Sequence, residues 1–184
     1  MGRFDDAIAE MKRAQELDPL SLIINAKMGV SYTFAGQYDR SIEQFRKTLE
    51  MDQGFYFAHR NLGVAYVLKG NFREALLAYE KARRLTDDPS LLGDIGHVQA
   101  VSGKRDEALK TLAQMNEISK RRYVPAYIFA LVYVGLGNKD QAFQWLEKSY
   151  QEREAKLCFF KIDPIMEPLR SDSRFSDLVR RIGL

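Results

Sequence analysis

Cysteine is nearly absent from this 184-residue chain, since Cys158 stands alone. That excludes an intrachain disulfide framework and fits a reducing compartment, so a cytoplasmic setting is expected. Histidine is almost as scarce. His59 and His97 have no ligand-spaced carboxylate motif beside them, and Cys158 is far away in sequence, so neither a metal site nor any other cofactor is expected. An excess of charge is missing too: 28 basic residues against 25 acidic give a net +3, too little to imply a nucleic-acid partner without a concentrated patch. Long apolar runs are wanting. The best of them, from Val124 to Leu136, is interrupted by Pro125 and Gly135 and is too short to span a bilayer, so no membrane partner is expected. The opening residues Met1 to Asp6 lack the basic and apolar regions of a secretory signal. The glycines form neither a phosphate-binding loop nor a dinucleotide fingerprint, because no strand precedes them. No segment alternates like a strand, and a nearly all-helical chain is expected.

What is present is a period. Gly36, Gly70, Gly103 and Gly137 stand 34, 33 and 34 residues apart, and similar surroundings recur at each. Upstream lie Met28-Gly29 with Tyr32, Leu62-Gly63 with Tyr66, Ile95-Gly96, and Phe129-Ala130 with Tyr133, each on one face of a first helix. Downstream, Tyr38, Ser41, Phe45, Thr48 and Met51, and in the next copy Phe72, Ala75, Tyr79, Ala82 and Leu85, recur at three- and four-residue spacing, as the buried stripe of a second helix requires. Copies are expected over 21–53, 54–88, 89–121 and 123–154, preceded by a second helix alone over 2–19. The turn glycines can supply a positive φ. Asn71 with Glu74, and Asn138 with Gln141, are expected to cap second helices, while Asp88-Pro89 and Asp163-Pro164 read as N-cap plus first-turn proline.

The series of apolar residue, small residue, two spacers, Tyr, turn Gly, Ala and aromatic closely resembles the tetratricopeptide repeat. The resemblance implies an all-α, right-handed α-solenoid of antiparallel helix pairs, a single domain that binds proteins and performs no catalysis. Departures are Asn25, His59, Leu92 and Ala126 where the family often carries Trp, and Gln99 and Arg105 in the third copy. First helices line the groove in this family, which places its peptide-contact positions at Lys27, Phe57, Arg60, Asn61, Asp94, His97, Tyr127 and Leu131. The family's complete carboxylate clamp is not expected. Lys27 and Asn61 match it, whereas Ala26, Val30 and Asp94 do not. An extended or helical peptide with apolar anchors, held by Phe57, Tyr127 and Leu131 and oriented by Arg60 and His97, is the expected ligand. The competing reading is that Val30, Val64, Leu131 and Val134 only pack between repeats. A helical-repeat RNA-binding module is the other alternative, opposed by Val, Phe and Ala at the would-be reading positions and by the lack of a basic track.

Residues 155–184 are expected to form capping helices, with Phe159, Phe160, Ile165, Met166, Leu169, Phe175, Leu178, Val179 and Ile182 covering the end of the stack and Cys158 buried beside them. This tail resembles the C-terminus of repeat regions attached to bacterial winged-helix regulators, adenylyl cyclases and protein kinases, which implies a docking module of a larger signalling protein. At the other end, Phe4, Ala7 and Met11 belong to a second helix without its first. Either a longer protein has been trimmed there, or that face pairs with another copy as a homodimer.

Overall fold

Apolar stripes separated by turn glycines leave the chain little choice but paired helices. The computed structural model describes residues 3–184 and, among them, contains no strand; Gly2, part of the N-terminal pattern, lies outside the described residues. The helices are α1 (Phe4–Leu17), α2 (Leu22–Phe34), α3 (Tyr38–Met51), α4 (Tyr56–Leu68), α5 (Phe72–Leu85), α6 (Ser90–Val101), α7 (Arg105–Ser119), α8 (Ala126–Gly135) and α9 (Lys139–Gln151). Two short 3-10 helices, Ala155–Phe159 and Pro164–Leu169, lead to α10 (Ser173–Ile182). The α2–α3, α4–α5, α6–α7 and α8–α9 turns each contain a glycine at positive φ: Gly36 (73°), Gly70 (83°), Gly103 (82°) and Gly137 (72°). A β-carbon at any of the four would meet open space, so backbone conformation rather than crowding calls for glycine. Asn138 caps α9 by accepting from the Gln141 amide at 3.1 Å. Asn71, expected to do the same for α5, makes no side-chain cap; its backbone carbonyl takes the Ala75 amide at 3.0 Å instead.

The chain divides into two compact units, the first ending at Asp87 and the second running from Asp88 to Leu184. In the first, each helix from α1 to α5 packs on the next, and α4 also touches α2. Its core holds Met28, Ile42, Phe45, Leu62, Tyr66 and Tyr79. Gly63 lets α4 and α5 approach: a β-carbon there would lie 2.4 Å from the Tyr79 ring. Where the family often carries Trp, Asn25 is buried and fully bonded. Its amide donates to the Pro19 and Ser21 carbonyls at 2.9 Å each, and its oxygen accepts from Gln15 at 2.6 Å and Gln44 at 3.0 Å.

In the second unit α6 packs on α7 and α8, α8 on α9 and the second 3-10 helix, and α10 on α9. Phe129 and Trp145 stack at 4.1 Å and 10°. Gln99, one of the third copy's departures, is bonded by the Thr111 hydroxyl at 2.7 Å. The residues after α9 close the core: Leu157, Phe160, Met166, Leu169, Phe175 and Leu178 join Leu131 and Leu146 in one apolar cluster. Two of the residues expected inside are outside, for Cys158 is exposed and Phe159 is 39% exposed. The reason is the helix type. A three-residue turn brings Leu157 and Phe160 to the same face and turns the two residues between them to solvent. Arg174 and Arg181 tie α10 to α9, the first bonding Asp140 at 2.9 Å, the second gripping both oxygens of Glu147 at 2.7 and 2.9 Å.

Candidate functional site

In the first unit the residues with ligand-facing expectations lie on α2 and α4, neighbouring first helices. Lys27 is exposed, and Phe57, Arg60 and Asn61 are half-buried. The last three stand at i, i+3 and i+4 and so share one face of α4. The Lys27 ammonium lies 5.6 Å from the centre of the Phe57 ring, within cation–π range, and joins the two helices into one surface. The Asn61 amide donates to the Phe57 carbonyl at 2.8 Å, which leaves its oxygen as an acceptor on that surface. The face therefore offers a cation, an aromatic platform, a guanidinium and an amide oxygen.

In the second unit the structure puts the corresponding residues inside. Asp94 is 6% exposed, His97 5%, Tyr127 1% and Leu131 3%. They belong to the packing of α6, α8 and the C-terminal segment. The His97 Nδ1–H donates to the Leu131 carbonyl at 2.8 Å, and the Tyr127 hydroxyl donates to the Asp163 carboxylate at 2.9 Å. Leu131 and Tyr127 share their cluster with Leu157, Phe160, Met166 and Leu169, the residues that cover them. Burial drives the pKa of His97 down and that of Tyr127 far up, so both stay neutral, with the Asp94 and Asp163 carboxylates close enough to act on each.

Sequence reasoning missed Glu154. Its carboxylate accepts from the Ala126 and Tyr127 amides at 2.5 and 3.0 Å, and the Ser149 hydroxyl donates to it at 2.8 Å. It serves as the cap of α8, whose preceding residue, Pro125, has no capping side chain. The one sequence signal was that undersupplied helix start. Among the described residues no three His, Cys, Asp or Glu side chains are grouped to hold a metal ion, and no helix is long and apolar enough to cross a membrane.

Residues 26–89 match the model of the family described as tetratricopeptide repeat. A thermophilic tetratricopeptide protein of Thermus thermophilus, TTC0263, superposes with a TM-score of 0.68 at 21% identity, over 97% of this chain and 92% of that one. The fold is that of a tetratricopeptide-repeat protein. The structure of MamA is similar at a TM-score of 0.56 and 24% identity, over 84% of this chain and 91% of its own. YrrB, a tetratricopeptide protein whose structure is described as having an unusual peptide-binding site, is similar at 0.54 and 18%, over 94% and 90%. No curated protein matches the sequence. Tetratricopeptide folds support protein or peptide partners.

Proposed function

We propose that this chain is a non-catalytic docking scaffold that takes a peptide or protein segment on the α2–α4 face, with Phe57 as the apolar anchor site and Lys27, Arg60 and Asn61 as the polar grips. The observation that carries the reading is the continuity of that surface: side chains from two adjacent first helices, exposed or half-buried, with Lys27 reaching the Phe57 ring. YrrB's description as a protein of this fold with a peptide-binding site supports it. Asp94, His97, Tyr127 and Leu131 take a supporting part, holding the second unit together rather than meeting the ligand. The resemblance of the tail supports a wider role as the docking part of a signalling protein. The test is affinity selection from a displayed random-peptide library. Selected peptides bind the wild type, and Phe57→Ala or Arg60→Ala weakens them about tenfold or more. Peptides indifferent to both changes would put the site elsewhere.

Self-association through α1 is a second reading, favoured by a specific exposure. Ala7 is exposed and Phe4 and Met11 are half-buried, while Leu17 at the end of the same helix and Leu20 just beyond it are 88% and 79% exposed. A solution mass that rises with concentration, and returns to the monomer when Phe4 and Met11 are made polar, is the result this reading requires. A constant monomer mass removes it.

A further inference from the structure

We infer that the first unit carries a second binding site on the face formed by α3, α4 and α5, distinct from the α2–α4 surface, and that it takes an acidic, leucine-bearing peptide segment. An open cleft of about 720 Å³ lies there, within the size range of ligand sites. Leu49, Leu62 and Ala78 give it apolar lining, and Leu77 and Leu85 extend that lining along α5. The last two stand outside the buried face of their helix. The buried stripe of α5 consists of Ala75, Ala78, Tyr79 and Ala82, yet Leu77 is 58% and Leu85 45% exposed, both at the cleft.

Charge decides what kind of segment fits. Several exposed cations on this unit have local partners: Arg13 with Glu10, Lys47 with Glu43, Arg83 with Glu80. Lys81 and Arg84 line the cleft three residues apart, one turn of α5, and neither forms an ion pair among the described residues. Arg46, whose guanidinium donates to the Tyr66 hydroxyl at 2.8 Å, adds a third cation, against the carboxylates of Glu50 and Glu74. The lining is positive by one charge, with its two unpaired cations side by side. A carboxylate next to a leucine meets both the cations and the apolar lining.

His59 favours a peptide over a simple anion. Its Nε2–H donates to the Gln53 carbonyl at 2.9 Å, which leaves Nδ1 as an acceptor. That atom is the buried side-chain nitrogen or oxygen without a hydrogen-bond partner among the described residues, and His59 lines this same cleft. A peptide N–H is a donor that suits it; a lone carboxylate, which brings only acceptors, is not.

The experiment is a titration of the isotope-labelled full chain, followed by backbone amide NMR, with two blocked decapeptide pools of randomised sequence, one of Leu and Glu and one of Leu and Lys. The Leu/Glu pool is expected to move the resonances of His59, Leu77, Lys81 and Leu85 and to bind about tenfold tighter than the Leu/Lys pool. The double change K81E/R84E, at two exposed positions, is expected to reverse that order without altering the thermal unfolding curve. Equal response to both pools, no movement in α3 or α5 up to millimolar peptide, or movement confined to α2 and the Phe57–Asn61 side of α4 overturns the inference. The last outcome leaves the docking face proposed above intact, and loss of that face leaves this site intact.

Discussion

Tyr127, in the first turn of α8, donates its hydroxyl to Asp163 at 2.9 Å, and Asp163 in turn starts the second 3-10 helix by accepting the Ile165 amide at 3.0 Å. Both residues are buried, so the pair fixes where the C-terminal segment docks on α8. Burial, with the Asp163 carboxylate alongside, holds the Tyr127 pKa far above the usual tyrosine range and keeps the phenol a donor. Removing the hydroxyl by Tyr127→Phe leaves a buried carboxylate short of one partner. The expected cost is roughly 1–3 kcal/mol in a urea unfolding measurement. An unchanged midpoint would mean that the carboxylate is satisfied in another way.

Gly63 makes a sharper prediction because its space is already occupied. With the Tyr79 ring 2.4 Å from the position of a β-carbon, Gly63→Ala forces α4 and α5 apart or the ring aside. The expected cost is about 1–3 kcal/mol. Combined with Tyr79→Leu, which removes the ring, the double variant is expected to lose less than the sum of the two single losses. Strict additivity in denaturant titrations would show that the two positions do not meet.

His97 predicts a pH dependence. Burial lowers its pKa below the ordinary value of 6.5, outweighing the Leu131 carbonyl and the Asp94 and Asp163 carboxylates, which push the other way. The unfolded chain therefore takes up the proton first. The contribution of neutral His97 to stability is full above pH 6.5, and it falls as the pH descends from there to the lower folded-state value. Unfolding free energies measured at intervals from about pH 7.5 to 5 are expected to decline, and His97→Asn is expected to flatten that decline. A wild type equally stable across the range contradicts the assignment.

Short-range features of this protein were plain in the sequence. The turn glycines and the three- and four-residue stripes depend on neighbours in the chain, and the positive φ at Gly36, Gly70, Gly103 and Gly137 follows from them. Most of what was hidden, the Asn71 cap and Cys158 aside, depends on contacts across long stretches of chain. Nothing near Tyr127 or Leu131 signals that Phe160, Met166 and Leu169 cover them, so they read equally well as groove or core. Cys158 was misread because a 3-10 helix has a three-residue turn, whereas its apolar neighbours suggested uniform burial. Lys27, Phe57, Arg60 and Asn61 kept an open or half-open position because the packing of α2 and α4 within the first unit leaves that face available. Glu154 escaped notice because its role is completed by amides 27 and 28 residues earlier.

The docking claim is tested most directly by light-induced crosslinking of a library-selected peptide to the full chain carrying a photoreactive residue at one position at a time. Replacement at Phe57 on α4 samples the proposed face, and replacement at Leu109, an exposed position on α7, is the control. The predicted result is a peptide adduct from position 57 that excess unlabelled peptide competes away and that Lys27→Glu with Arg60→Glu suppresses, with none from position 109. Adducts from position 109 alone, or from neither position despite tight binding, would contradict the account.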